Sequence, residues 1–84
     1  MNKVTIYTTQ YCPYCVRAKQ LLEQKGAKYD ELRVDGDPNL RQIMTTKSNS
    51  RTVPQIWIGD THVGGCDELF ALERSNKLDE LLKT

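Results

Sequence analysis

Val4 and Ile6 alternate with Thr5 and Tyr7 in "KVTIY" (3–7), a two-residue period that predicts a short β-strand. The polar "TTQYCP" after it reads as a turn. The period then lengthens in "YCVRAKQLLEQKG", where Val16, Ala18, Leu21 and Leu22 make an apolar stripe along a helix that Gly26 stops. Alternation returns in "KYDELRV" (28–34), with Tyr29, Glu31 and Arg33 opposed to Leu32 and Val34, so a second strand is expected. "DGDPN" is a turn, and Asp37 can cap a helix that starts at Pro38, carries Leu40, Ile43 and Met44, and frays at "KSNSR". "QIWI" is strand-like, "GD" is a turn signal, and "THV" can return antiparallel as the last strand. Asp67 to Leu72 reads as a short helix; "SNK" interrupts it, and "LDELLK" makes one further helical piece.

The predicted order is β-α-β-α-β-β-α. A βαβ opening implies parallel strands joined by a right-handed crossover, and the final hairpin adds an antiparallel edge. The expected class is therefore α/β, a four-stranded mixed sheet flanked by helices. Eighty-four residues make one domain, 1–84, near the lower end of the usual size. No repeat or low-complexity segment interrupts it.

Charge and composition narrow the function classes. The net charge of +1 makes no electrostatic case for nucleic acid. No apolar run approaches the ~20 residues that span a bilayer. The first residues, "MNKVTIYTTQ", lack the apolar stretch of a signal peptide, so a reducing cytoplasmic setting is expected. Charge is uneven, however. Residues 1–51 hold nine Lys/Arg against five Asp/Glu, and residues 52–84 hold three against six. The basic portion contains a close cysteine pair and would suit a small anionic partner.

That pair is Cys12 and Cys15, in "YCPYC". Pro13 is favoured at the first helical position, which puts Cys12 at the N-cap. There its sulfur faces unsatisfied N–H groups and the positive end of the helix dipole, and both stabilise a thiolate. A cysteine of ordinary pKa ~8.5 can fall to ~3.5–7.5 in such a place. Cys15, nearly a turn further on, is within reach but more covered. Cys12 would attack, and Cys15 would resolve the mixed disulfide. The same letters allow other readings. C-x-x-C is common in zinc sites, and His62 and Cys66 could complete a Cys₃His set with the pair. Two inert buried thiols are also open.

Two further segments stand out. In "RTVP", Pro54 belongs at the start of a strand, because it cannot donate within one. A cis Val53–Pro54 bond would leave the Val53 backbone free to pair with an extended peptide. In "HVGGCDEL", adjacent glycines permit close ligand approach, a helix start offers N–H groups to a carboxylate, and Asp67 could receive an ammonium group. Cys66 or Asp67 could cap that helix, and a plain turn with a cap explains the same letters.

"CPYC", "TVPQIWI" and "HVGGCDEL", in this order and covering nearly the whole chain, closely resemble the glutaredoxins, most of all the short bacterial dithiol type called glutaredoxin 3. The resemblance implies the thioredoxin fold. It also implies reduction of protein disulfides and glutathione mixed disulfides, with glutathione as co-substrate, no tightly bound cofactor and no metal. It gives Cys12 the nucleophile's role and Cys15 the resolving role. Tyr14 lines the site beside the sulfurs. Val53, before a cis Pro54, pairs with the cysteinyl backbone of glutathione, and Thr52 adjoins that contact. Gly65, Cys66 and Asp67 hold the γ-glutamyl end. Arg41, Gln42 or Arg51 are candidates for the glycyl carboxylate. Thr9 stands where many family members carry a lysine. Oxidised or glutathionylated proteins, ribonucleotide reductase among them, are the implied partners of a monomer. Two rival readings share the fold: a hydrogen donor for ribonucleotide reductase that is reduced by thioredoxin reductase, and an iron–sulfur cluster bridged between two copies.

Overall fold

The computed structural model describes residues 2–83. Its elements are β1 (Val4–Thr8), α1 (Pro13–Gln24), β2 (Tyr29–Arg33), α2 (Pro38–Ser48), β3 (Gln55–Ile58), β4 (Thr61–Gly64), α3 (Cys66–Arg74) and α4 (Leu78–Lys83). This is the expected order, with the last helical stretch split in two at Ser75–Lys77. The strands lie side by side as β2-β1-β3-β4. β1 runs parallel to β2 and antiparallel to β3, and β4 returns antiparallel to β3.

Strand alternation feeds two cores. Val4, Ile6, Ile56 and Ile58 point to one face of the sheet, where Ala18, Leu21 and Leu22 of α1, Leu69 of α3, and Leu78 and Leu82 of α4 cover them. Tyr7 and Trp57 point to the other face and meet Met44 of α2 and Val34, with their rings edge to face at 5.3 Å. Both faces are thus buried, which is why β3 reads as a continuous apolar run apart from Gln55.

Two helix faces differ from expectation. Val16 is 47% exposed, and Cys15 is buried in its place. The covered positions 15, 18 and 22 are three and four apart, and Val16 lies about 100° round the helix from Cys15. Ile43 is likewise 50% exposed. The other three helices supply the opposite core, so only the ridge of α2 that points at the sheet, through Leu40 and Met44, is covered.

The starts of α1 and α2 match their sequence signals closely. Asp37 Oδ1 accepts from the Leu40 N–H at 3.0 Å, with Pro38 as the first helical residue. Gly26 follows α1 with φ +70°, where a side chain would be strained.

One polar cluster ties α1 to the edge strand β2. Glu31 Oε2 accepts from the Thr8 hydroxyl at 2.7 Å and from Lys19 Nζ at 3.0 Å. The Thr8 bond, helped by Lys19 and opposed by partial burial, holds the Glu31 carboxyl below its ordinary range. A carboxyl depressed in the folded state stabilises above its unfolded pKa, about 4.3, and loses that contribution as pH falls through the lower folded value. Glu31→Gln is therefore expected to lower the urea midpoint at pH 7, with the gap to wild type closing below about pH 4. A gap that stays constant with pH would mean that the charge on Glu31 contributes nothing.

Candidate active site

Cys12 occupies the N-cap of α1, with extended backbone (φ −108°, ψ 102°) and Pro13 following. Its Sγ accepts a hydrogen bond from the Cys15 N–H at 3.1 Å. The sulfur therefore stands where a serine or aspartate oxygen caps other helices, against the helix's open N–H groups. Cys12 and Cys15 are joined as a disulfide, with Cα atoms 5.2 Å apart. Cys12 is half-buried and Cys15 only 1% exposed. The outer sulfur is the one that a partner can reach, and the inner one is covered by the fold.

The Val53–Pro54 peptide is cis, immediately before β3. No described residue hydrogen-bonds to the Val53 N–H or C=O. At the end of β4, Gly64 takes φ +113°, and a Cβ there would lie 3.0 Å from Glu68 Oε1. A Cβ on Gly65 would lie 3.4 Å from the Pro54 carbonyl oxygen. The glycine pair therefore brings the start of α3 close to the cis-proline loop.

The N-cap of α3 is Gly65, not Cys66 or Asp67 as the sequence suggested. Glycine has no side chain to take the first N–H groups of the helix, so those of Cys66 and Asp67 stay uncapped. Glu68 Oε1 accepts from the Gly65 N–H at 2.7 Å and fixes the turn. The sequence reading passed over Glu68, although a glutamate three residues beyond a helix cap is a legible signal.

Tyr14, Thr52, Val53, Pro54, Gly65, Cys66 and Asp67 converge on one groove of about 170 Å³, with Glu68 at its side. Arg41, Gln42 and Arg51 come together too, but in a separate hollow of about 410 Å³ with Pro38 and Thr45. Arg51 and Thr52 join the two, and Arg41 Nη1 donates to the Arg51 carbonyl at 3.1 Å. A larger hollow of about 520 Å³ lies at the opposite end of the sheet, by Lys3, Val4 and Lys28, remote from the cysteines.

Cys66 is a buried free thiol. Burial pushes it up, and Asp67 and Glu68 push the same way, against the opposing charge of Arg17. It is a poor nucleophile beside an N-capping Cys12. His62 is not gathered with the cysteines. Its Nε2 pairs with Gln55 Oε1 at 2.8 Å, and its ring lies on Trp57 with centroids 4.6 Å apart. Among the described residues no three His, Cys, Asp or Glu side chains converge on a metal-sized point, so the Cys₃His arrangement is not formed. No helix among them is long and apolar enough to cross a membrane. Arg33, across from Gln10, is committed to Asp35 at 2.7 Å.

The glutaredoxin family model matches residues 4–63. A glutaredoxin of Pseudomonas aeruginosa is 62% identical over 82 residues, 98% of either chain. Glutaredoxin 3 of Escherichia coli is 51% identical over 83 residues, covering 99% of this chain and all of the other. A buckwheat glutaredoxin–glutathione complex superposes with a TM-score of 0.89 at 33% identity, over 96% of this chain and 76% of that one. With its thioredoxin fold and its Cys12-Pro13-Tyr14-Cys15 redox pair, the chain belongs to the glutaredoxin family of thiol–disulfide oxidoreductases.

Proposed function

We propose that the groove beside the cysteines holds the glutathionyl half of a mixed disulfide, and that Cys12 and Cys15 divide the reduction between them. The single observation that supports the reading best is the groove itself: a free backbone edge at Val53, two uncapped N–H groups at α3 and the Asp67 carboxylate surround one cleft. Glutathione is an extended tripeptide with a carboxylate at each end and one ammonium group. Val53 pairs with its cysteinyl backbone, with Thr52 and Tyr14 alongside. The N–H groups of Cys66 and Asp67 take the γ-glutamyl carboxylate, and the Asp67 side chain takes the ammonium. Gly65 and Pro54 keep the cleft narrow. Arg41, Gln42 and Arg51 face the glycyl carboxylate from the neighbouring hollow.

Chemistry follows from the two sulfurs. The Cys12 thiolate attacks the glutathione sulfur of a glutathionylated protein, and the protein leaves as its thiol. A second glutathione then attacks the Cys12 mixed disulfide, releasing glutathione disulfide and regenerating the thiolate. On a protein disulfide, Cys12 forms a mixed disulfide with one sulfur, and Cys15 displaces the substrate as the Cys12–Cys15 disulfide closes. Two glutathiones then reduce that disulfide. Residues 1–84 act as one monomeric domain in a reducing, cytoplasmic compartment where glutathione is plentiful. Ribonucleotide reductase is among the acceptors that the resemblance implies; no contact in the groove selects it.

Asp67→Asn tests the ligand assignment. It is expected to raise KM for the glutathionylated substrate about fivefold with kcat nearly unchanged, because it removes binding common to ground and transition states. The effect should shrink with added salt, since Asp67 is exposed. An unchanged KM would contradict this placement of the γ-glutamyl end.

A further inference from the structure

Tyr11 precedes the attacking cysteine, and its ring covers almost nothing: the residue is 90% exposed. Its backbone sits at φ +61°, a conformation rarely adopted by a bulky side chain. Strained backbone of this kind tends to persist where function requires it. Tyr11 is the residue before the N-cap of α1, and Val16 is the fourth residue of that helix. In many helices apolar residues at these two places close on each other as a hydrophobic staple. Here both stay open, with Val16 47% exposed. The Val16 N–H bonds to the Cys12 carbonyl at 3.1 Å, so Val16 adjoins Cys12 one turn along the helix and Tyr11 adjoins it in the chain. Neither residue lines the groove assigned to glutathione.

We propose that Tyr11 and Val16 form a docking face for the polypeptide that carries the substrate disulfide, and that they favour partners with an apolar side chain next to the reacting cysteine. The inference rests on Cys12 as the attacking sulfur. A polypeptide whose disulfide reacts at that sulfur, whether its own sulfur is the one attacked or the one that leaves, brings its flanking residues alongside Tyr11, so the face is continuous with the reaction site. Glutathione occupies the groove on the Tyr14 side and leaves Tyr11 to the protein half of the mixed disulfide. An exposed tyrosine suits this use, because it offers a large apolar area and few rotatable bonds to fix.

The test uses two glutathionylated peptides that differ only in the residues flanking cysteine, leucine in one and serine in the other. The mixed disulfide of glutathione with free cysteine serves as a substrate without flanks. Wild type is expected to prefer the leucine peptide about tenfold in kcat/KM, mostly through KM. Tyr11→Asn keeps a residue that tolerates positive φ and should lose most of that preference, while turning over the flankless substrate within about twofold of wild type. Tyr11→Phe should keep the preference, and Val16→Ser should lose part of it. Equal preference in wild type and Tyr11→Asn, or none in wild type, would overturn the docking face. Loss of flankless turnover in both Tyr11→Asn and Val16→Ser would also count against it, as damage to the helix start. Failure of wild type on the flankless substrate would instead bring down the glutathione reading itself.

Discussion

Cys12→Ser is expected to lower turnover of glutathione mixed disulfides and protein disulfides alike by about three orders of magnitude or more. A hydroxyl cannot replace a thiolate in disulfide exchange, and neither remaining thiol is placed to take over. Cys15 is covered, and Cys66 is buried with its thiol pushed up by desolvation. The loss should not be a folding defect, because serine is itself a favoured N-cap and can accept the Cys15 N–H that Sγ now accepts. The melting temperature of Cys12→Ser, compared with reduced wild type, checks that point. The same geometry makes Cys15→Ser a different variant. It removes the resolving sulfur and leaves the capped nucleophile, so glutathionylated substrates should still turn over while protein disulfides stall as mixed disulfides.

The second large effect is on stability. Leu69→Ala is expected to cost about 3 kcal/mol. Leu69 is fully buried in the larger core, where it meets side chains from α1, α4 and the sheet. A chain of this length has a total stability of roughly 4 to 13 kcal/mol, so one such truncation removes a large share of it. Leu69 is also the residue whose N–H makes the first helical bond, to the Gly65 carbonyl. Loosening it should weaken glutathione binding as well as lower the urea midpoint. A loss under 1 kcal/mol would mean that α3 is held mainly by its polar start and not by this side chain.

What could be read in the sequence depended on how local its cause was. The alternation of Val4 and Ile6, the cap at Asp37, the stop at Gly26 and the N-cap position of Cys12 each follow from a few neighbouring residues, and each stands as read. The exposure of Val16 and Ile43 does not, because it depends on which helix ridge meets the sheet and on what packs beside it. A shift of one residue in the stripe of α1 buries Cys15 and exposes Val16. Convergence of the "TVP" and "GGCD" segments is also beyond any local reading. They are ten residues apart in the chain, and the β3–β4 hairpin brings them together, with Gly65 close against the Pro54 carbonyl. The resemblance had named seven residues of this groove, but it missed Glu68, whose carboxylate holds the Gly65 N–H. Arg41, Gln42 and Arg51 cluster, though in the adjoining hollow. Tyr11 went unnoticed because no rule of composition or period foretells a positive φ at a tyrosine.

The central claim is that a half-buried but reachable, N-capping Cys12 does the chemistry with glutathione while Cys15 only resolves. The most direct test is glutathione-dependent reduction of a small glutathione mixed disulfide, coupled to glutathione reductase, with wild type, Cys12→Ser and Cys15→Ser measured side by side. The account predicts turnover by wild type and Cys15→Ser and none by Cys12→Ser. An inactive wild type, or a Cys15→Ser as dead as Cys12→Ser, would contradict it.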